Sequence, residues 1–455
     1  MEYRKDRTVQ EKKYSLFTAI CMISGIVIGS GIFFKADDIL LYTNGNMILG
    51  ILIFVIASFA IVFGSLTISQ LAMKTDRPGG IIAYAEEFVN QHVACAFGWY
   101  QIFIYLPALI AVVSHVAAIY VCQLFSIQAT LEMLAGMSIF IALFIVLLNT
   151  VSTKLGGLFQ NASTIIKLVP LVFIAILGIT LGNPAEVTQS DISNFRLHAG
   201  TFTWVTAFAP IAFSFDGWIV STALSHEIKN SKRNLPLALM ISPLLILVAY
   251  VAYFVGITSL LGQEAILQHG DESVYIAANQ LFGPAGAKLV LVFIVISVLG
   301  TVNGLALGYI RMPYTMASRH MFPLRKQICN ENGEQETYSI MSGIICFLLI
   351  LVWISIHYAT QKFQLPGDVS EIAICVNYLN YIVLYVVVIM MAKRSEIQGF
   401  WKGLVNPVFA IIGSLIIFSG SISNPLFEIS LIVCFGIMLY AYFYSKKKRN
   451  QNSTE

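Results

Sequence analysis

Two short stretches concentrate residues that a membrane helix tolerates poorly. The first reads Ile23-Ser24-Gly25-Ile26-Val27-Ile28-Gly29-Ser30-Gly31-Ile32-Phe33. Each glycine there costs about 1 kcal/mol relative to Ala inside a helix. The second reads Phe208-Ala209-Pro210-Ile211-Ala212-Phe213-Ser214-Phe215-Asp216-Gly217-Trp218. It places Pro, Asp and Gly together, and Asp is expensive at mid-membrane depth. A helix that breaks bares free N–H groups at one stub and free C=O groups at the other. The N–H stub attracts a carboxylate, and the C=O stub accepts from an ammonium group. An amino acid carries both groups on one carbon. Gly29, Ser30 and Gly31 would let N–H groups reach its carboxylate without Cβ clashes. Carbonyls of the Ile23, Gly25 and Val27 turn and those around Phe213 would take its α-amino group, with Ser214, Phe215 and Asp216 beside them. Gly25 and Gly29 also have the GxxxG spacing of a helix-packing face. The matching cluster around Asp216 favours a break.

Lys167 stands in an apolar run, Ile165-Ile166-Lys167-Leu168-Val169-Pro170. It lies thirteen residues from Lys154, about 20 Å along a helix, too deep for easy snorkelling. A fixed ammonium at that depth would neutralise backbone carbonyls and tie helices together, as a bound sodium ion does. Burial would also ease its deprotonation, which leaves a proton role open. Asp216 either caps the second half of its span or serves the site. Asn303 interrupts another apolar run, and either lines the pocket or bonds a neighbouring helix. His115 fits an interhelical hydrogen-bonding role.

Such residues need elements that hold them at one depth in a membrane. The chain has 455 residues, 57% hydrophobic and only 11% charged. Soluble domains run near 45–50% apolar and about 25% charged. That excludes a soluble enzyme, a disordered chain and a coiled coil. Apolar runs of about 20 residues each span a bilayer. Twelve are expected, near 14–41, 47–73, 93–124, 133–152, 155–181, 203–231, 235–261, 286–318, 336–357, 366–391, 404–421 and 427–445. With the N-terminus inside, the cytoplasmic segments hold 22 of the 27 Lys and Arg. Outside lie Lys35, Arg196, Lys288 and Lys362. This obeys the positive-inside rule and places both termini in the cytoplasm. The basic tail after 445 is expected to be unstructured and to sit against anionic lipid.

The interrupted spans are the first and the sixth. Each opens a block of five, 14–181 and 203–391, between a cytoplasmic tail at 1–13 and two extra helices at 404–445 with a tail at 446–455. Interrupted helices at corresponding positions of two halves point to a transporter site. Five spans per block is odd, so the second block inserts inverted. The expected class is an all-α polytopic membrane protein, its first and sixth helices unwound mid-membrane. The seven Cys form no CxxC pair, so neither a zinc nor a redox site is expected. HExxH and GxSxG are absent, which argues against an enzyme. No continuous polar stripe suggests a channel. No cofactor, metal or nucleic acid is called for. The expected partners are amino acid substrates and the lipid bilayer.

The motifs resemble those of the amino acid–polyamine–organocation superfamily, and within it the L-type amino acid transporters. The likeness rests on Gly25 to Phe33, on Pro78-Gly79-Gly80 with Tyr84, and on Gly98-Trp99-Tyr100-Gln101 with Tyr105-Leu106-Pro107-Ala108. It continues through Phe213 to Trp218, Glu227-Ile228-Lys229-Asn230, Pro236, Val302-Asn303-Gly304 and Arg311. It covers about residues 14–445 and extends to the bacterial serine/threonine exchangers. The resemblance implies two inverted five-helix repeats plus two helices, the LeuT-like fold. It implies alternating access and sodium-independent exchange of neutral L-amino acids in the cell membrane. Carried over by motif, Gly29, Ser30 and Gly31 would bind the substrate carboxylate and Phe213 would gate the site. Asn303 would line the pocket, and Lys167 would stand in the place of a sodium ion. Animal members pair with a heavy subunit. Here the loop after the third span is short and Cys-free beyond Cys122, so none is expected. Proton-coupled symport on the same fold is the alternative.

Overall fold

The computed structural model describes residues 15–29, 31–75, 79–151, 159, 162–163, 165–219, 228–324, 328, 339–365 and 369–452. Among these residues no β-strand occurs. In chain order the α-helices are α1 (Leu16–Val27), α2 (Gly31–Phe34), α3 (Ala36–Tyr42), α4 (Met47–Ala72), α5 (Ile81–Phe88), α6 (Gln91–Tyr100) and α7 (Leu106–Leu124). Then come α8 (Leu131–Val151), α9 (Leu168–Leu181), α10 (Pro184–Gly200), α11 (Phe208–Ser214), α12 (Ser231–Leu261) and α13 (Gln263–His269). The rest are α14 (Ser273–Tyr309), α15 (Met312–Ser318), α16 (Ser339–Lys362), α17 (Val369–Lys393), α18 (Asn406–Ser419) and α19 (Phe427–Asn452). Nine helices among the described residues are long and apolar enough to cross a membrane. Three shorter apolar helices, Leu16–Gly25, Leu168–Leu181 and Thr203–Ser214, fall in the first, fifth and sixth expected spans.

The structure departs from the sequence reading in two places. The polar stretches 182–202 and 262–285 between the expected spans hold α10, α13 and a 3-10 turn, Gly270–Glu272. The eighth span begins earlier than 286, because α14 runs from Ser273 through a break at Gly283 (φ 70°), just before Pro284. Proline cannot donate to the preceding turn, and glycine adopts the positive φ the break needs. The tail is helical through Asn452, as a continuation of α19.

Several contacts carry the site residues into place. The Asn46 side chain caps α4 by accepting from Leu49 N–H at 2.8 Å. Asp191 of α10 accepts from the Met47 and Ile48 N–H groups at 2.7 and 3.3 Å, satisfying further donors of that first turn. Gln263 donates to the other Asp191 oxygen at 2.8 Å. Burial pushes the Asp191 carboxyl above its ordinary range, while these three bonds pull it back. Helices α9 and α12 approach to backbone contact. A Cβ on Gly178 would fall on the Gly256 carbonyl, and one on Gly256 would lie 2.9 Å from the Ala175 oxygen. That approach is open only to glycine, and it brings two helices that serve the site against each other.

Two π-helical turns, Gln101–Tyr105 and Trp401–Val405, each end two residues before a proline, Pro107 and Pro407. Pro107 has no N–H to offer the Phe103 carbonyl. Trp353 Nε1 donates to that carbonyl instead, at 2.8 Å. Single π turns inside α-helices are frequent at functional sites, and this one carries Gln101 and Tyr105.

Candidate functional site

Helix α1 stops at Val27. Ile28 is extended at ψ 96°, and its N–H closes the last turn on Ser24 O at 2.8 Å. Ser30 lies outside the described residues, and helix resumes at Gly31. Helix α11 stops at Ser214, and Gly217 takes the left-handed region at φ 94°. The two interruptions touch. A Cβ on Gly31 would lie 2.9 Å from Ser214 Cα and 3.0 Å from Phe213 Cδ1. One on Gly29 would lie 3.0 Å from Thr301 Oγ1 of α14. Any larger residue would push these three elements apart.

The broken ends find partners from other helices. The Tyr250 hydroxyl of α12 sits 3.2 Å from Val27 O and 2.9 Å from Ser214 O, so one phenol bridges both stubs. Lys167, buried at 2% exposure, donates to Gly25 O. A broken helix leaves such carbonyls without their helical donors, and Tyr250 and Lys167 replace them.

Beside the end of α11 lies a chain of polar side chains, most of them buried. Tyr105 donates to Asp216 Oδ2, and the Gly217 N–H also reaches that carboxylate. Gln101 donates to Asn377 Oδ1 at 3.1 Å, and Asn377 donates to the Tyr381 hydroxyl at 2.8 Å. Asn380 points to the same Asn377 oxygen at 3.4 Å. The chain joins the π turn to α17 and to the turn that follows α11.

The remaining predicted residues fall as follows. Ile23 and Val27 are buried apolar residues of α1. Ser214 turns its hydroxyl back to Pro210 O at 3.1 Å. Phe215 packs its ring on Tyr250 and Phe54, in the core. Asn303 is fully buried and its amide oxygen accepts from Asn149 of α8 at 2.9 Å, the helix-to-helix contact of the two readings. The His115 ring meets His357 at 4.8 Å between centroids. Among the described residues no group of three or more His, Cys, Asp or Glu is placed to hold a metal ion.

Sequence reasoning missed Tyr250, Tyr105 and a buried ion pair. The Lys35 ammonium lies 2.5 Å from Glu371 Oε1 and 3.1 Å from Asp38 Oδ2, and 5.6 Å from the centre of the Phe213 ring. Lys35 and Glu371 are each 3% exposed. Both stand near span ends, where charges look solvated. Tyr250 gives no signal in an apolar run rich in aromatics. Pro107 was the available sign of the π turn.

The amino acid permease family model matches residues 14–454. The chain is 28% identical to the serine/threonine exchanger SteT of Bacillus subtilis over 444 residues, covering 96% of this chain and 98% of that one. It is 26% identical to the human b(0,+)-type amino acid transporter 1, covering 97% and 89%. It is 24% identical to the human Asc-type amino acid transporter 1, covering 83% and 70%. All three are named as transporters or exchangers, not enzymes. With apolar helices, glycine breaks in contact and a match across nearly its full length, this multi-pass membrane transporter belongs to the amino acid permease family.

Proposed function

We propose that the chain exchanges small neutral L-amino acids, serine and threonine foremost, without sodium, across the cell membrane. On this reading it has twelve helices with cytoplasmic termini: inverted repeats over 14–181 and 203–391, and two helices over 404–445. The first and sixth helices unwind at the site, and the repeats rock around it to give alternating access. One observation carries the reading: Gly31 lies against Phe213 and Ser214 with no room for a Cβ. Backbone of the two breaks therefore meets at one place.

A substrate carboxylate takes the N–H groups of Gly29, Ser30 and Gly31. The α-ammonium takes carbonyls of the Ile23–Val27 turn and of Phe213. Phe213 closes over the ligand. Lys167 already holds Gly25 O, which supports the reading that its ammonium serves in place of a sodium ion. Closing the site without a substrate would bury polar groups that the ligand otherwise pairs, a cost of about 1–3 kcal/mol each. That cost slows the return of the empty carrier and favours exchange over net flow. The serine/threonine exchanger among the relatives supports the substrate class.

The test is uptake of radiolabelled serine into sodium-free proteoliposomes holding the purified chain alone, with and without trapped unlabelled serine at equal pH. Uptake that needs trapped amino acid is the expected result. Equal filling of empty vesicles overturns exchange, and failure across a panel of amino acids overturns the class. A second reading, proton symport, is favoured by the half-buried Asp216 carboxylate, which accepts from the neutral Tyr105 hydroxyl. Uptake into empty vesicles driven by an imposed pH gradient would select it.

A further inference from the structure

The last helix leaves its apolar span with charges that nothing answers. Helix α19 runs unbroken from that span through Lys446, Lys447 and Lys448. Lys446 and Lys447 are exposed and Lys448 is half-buried. None of the three forms a salt bridge among the described residues. Glu428, the only acid of α19, sits in its first turn, about 27 Å back along the helix. The acids of α5 are engaged elsewhere, Glu86 with Arg319 at 2.9 Å and Glu87 with Thr75. Successive helical residues turn by about 100°. Ser445 faces α6, its hydroxyl 3.0 Å from His92 Nδ1. The three lysines therefore fan across the opposite arc. Lys448 leans back over the Tyr444 ring, 5.7 Å from its centre. One turn earlier Tyr440 and Phe443 are exposed, and aromatic side chains in such places settle at the level of lipid headgroups. The ammonium groups next in the chain then stand at the height of the phosphates.

The same turns of α19 grip α6. The His92 ring meets Tyr442 at 5.5 Å between centroids. The Trp99 ring lies 5.5 Å from Tyr440 and 5.5 Å from Tyr444. Trp99 Nε1 donates to Met321 O at 2.8 Å, and its ring is 5.9 Å from Phe322. The base of α19, the start of the third span and the turn after α15 thus share one aromatic hub.

We propose that Lys446, Lys447 and Lys448 form a site for the headgroups of anionic phospholipids, and that lipid held there clamps α19 onto α6. A lysine ammonium carries three donors and no acceptor, which suits phosphate oxygens. A zwitterionic headgroup brings its own cation and cancels that attraction. Each lysine beside an anionic membrane strengthens the hold about fivefold. The orientation proposed above names the leaflet as the cytoplasmic one. The binding itself depends neither on that orientation nor on the substrate.

Hydrogen–deuterium exchange of the whole chain tests it in nanodiscs of phosphatidylcholine, with and without phosphatidylglycerol. Phosphatidylglycerol should slow exchange in peptides covering 91–100 and 436–450 by about fivefold or more, the share of one lysine. Added salt should shrink that gain. The triple variant Lys446→Gln, Lys447→Gln, Lys448→Gln should lose it. The triple variant Lys393→Gln, Arg394→Gln, Lys402→Gln removes the same charge from other exposed positions and should keep it. No gain in the wild type overturns the site, and so does a gain that survives in the α19 variant. Equal loss in both variants overturns it as well, because bulk charge then suffices. Inorganic phosphate added to phosphatidylcholine discs should have no effect; an equal gain there would make the ligand free phosphate and overturn the lipid. None of these readouts involves transport, so a chain that fails to exchange serine loses only the substrate reading.

Discussion

The Lys167 ammonium donates to the carbonyl oxygen of Gly25, 142 residues away in sequence. In an unbroken helix that carbonyl would accept from the Gly29 N–H. The helix ends at Val27, and the Tyr250 hydroxyl reaches the free carbonyls Val27 O and Ser214 O. One lysine and one tyrosine therefore take over the bonds that the break dissolves. Exchange and its failure should follow these two side chains.

Lys167→Ala should cut serine exchange about tenfold or more, since a buried hydrogen bond from a charged group contributes about 1.5–3 kcal/mol. Expression and elution as a monodisperse species should be unchanged. Normal exchange in the variant would remove Lys167 from the coupling role.

Tyr250→Phe deletes one hydroxyl and keeps the ring that packs on Phe215. The stubs at Val27 and Ser214 lose their bridge, worth about 1 kcal/mol. Exchange should slow about fivefold with little change in melting temperature. A variant as fast as the wild type would show that the bridge is not used in the cycle.

Gly31→Ala should raise the apparent KM for serine or abolish transport, because the new methyl meets Ser214 Cα at 2.9 Å. Overpacking of this kind costs about 1–3 kcal/mol. Gly308→Ala in α14, where a Cβ meets nothing within 4 Å, is the matched control. Equal kinetics in the two variants would refute close packing of the breaks.

Lys35→Gln leaves the buried Glu371 charge uncompensated, which costs about 3–5 kcal/mol, while Glu371→Gln leaves Lys35 with Asp38 as its remaining ion pair. Each should loosen this end of the site and raise labelling of an introduced cysteine beneath it. The exchanged pair, Lys35→Glu with Glu371→Lys, should recover part of the closure. Additive single effects with no recovery would mean the pair does not act as a lock.

Asp191 should make stability depend on pH. Burial raises its carboxyl in the folded chain, so the native state holds the proton to higher pH than the unfolded chain. The stabilisation is present at acid pH and is lost as pH rises through the folded value. Asp191→Asn should flatten this slope in a melting series from pH 4 to 7 while keeping the cap on Met47.

The sequence alone determined what is local. Sparse charge and long apolar runs imposed a membrane, and the expected run 47–73 is α4, Met47–Ala72, almost residue for residue. Gly29, Gly31, Pro210 and Gly217 marked themselves because each weakens a helix whatever surrounds it. Lys167 and Asp216 did so because an ionisable group in lipid is costly anywhere. Only the tertiary structure decided the partners. Gly25 as the acceptor for Lys167, Glu371 as the counter-charge of Lys35 336 residues away, and Asn149 as the bond of Asn303 depend on which helix faces span the same depth. Apolar faces repeat from helix to helix and leave that choice open. Backbone contacts such as Gly178 on Gly256 settle it, because they fix which helices approach closely enough for one side chain to replace another's lost hydrogen bond.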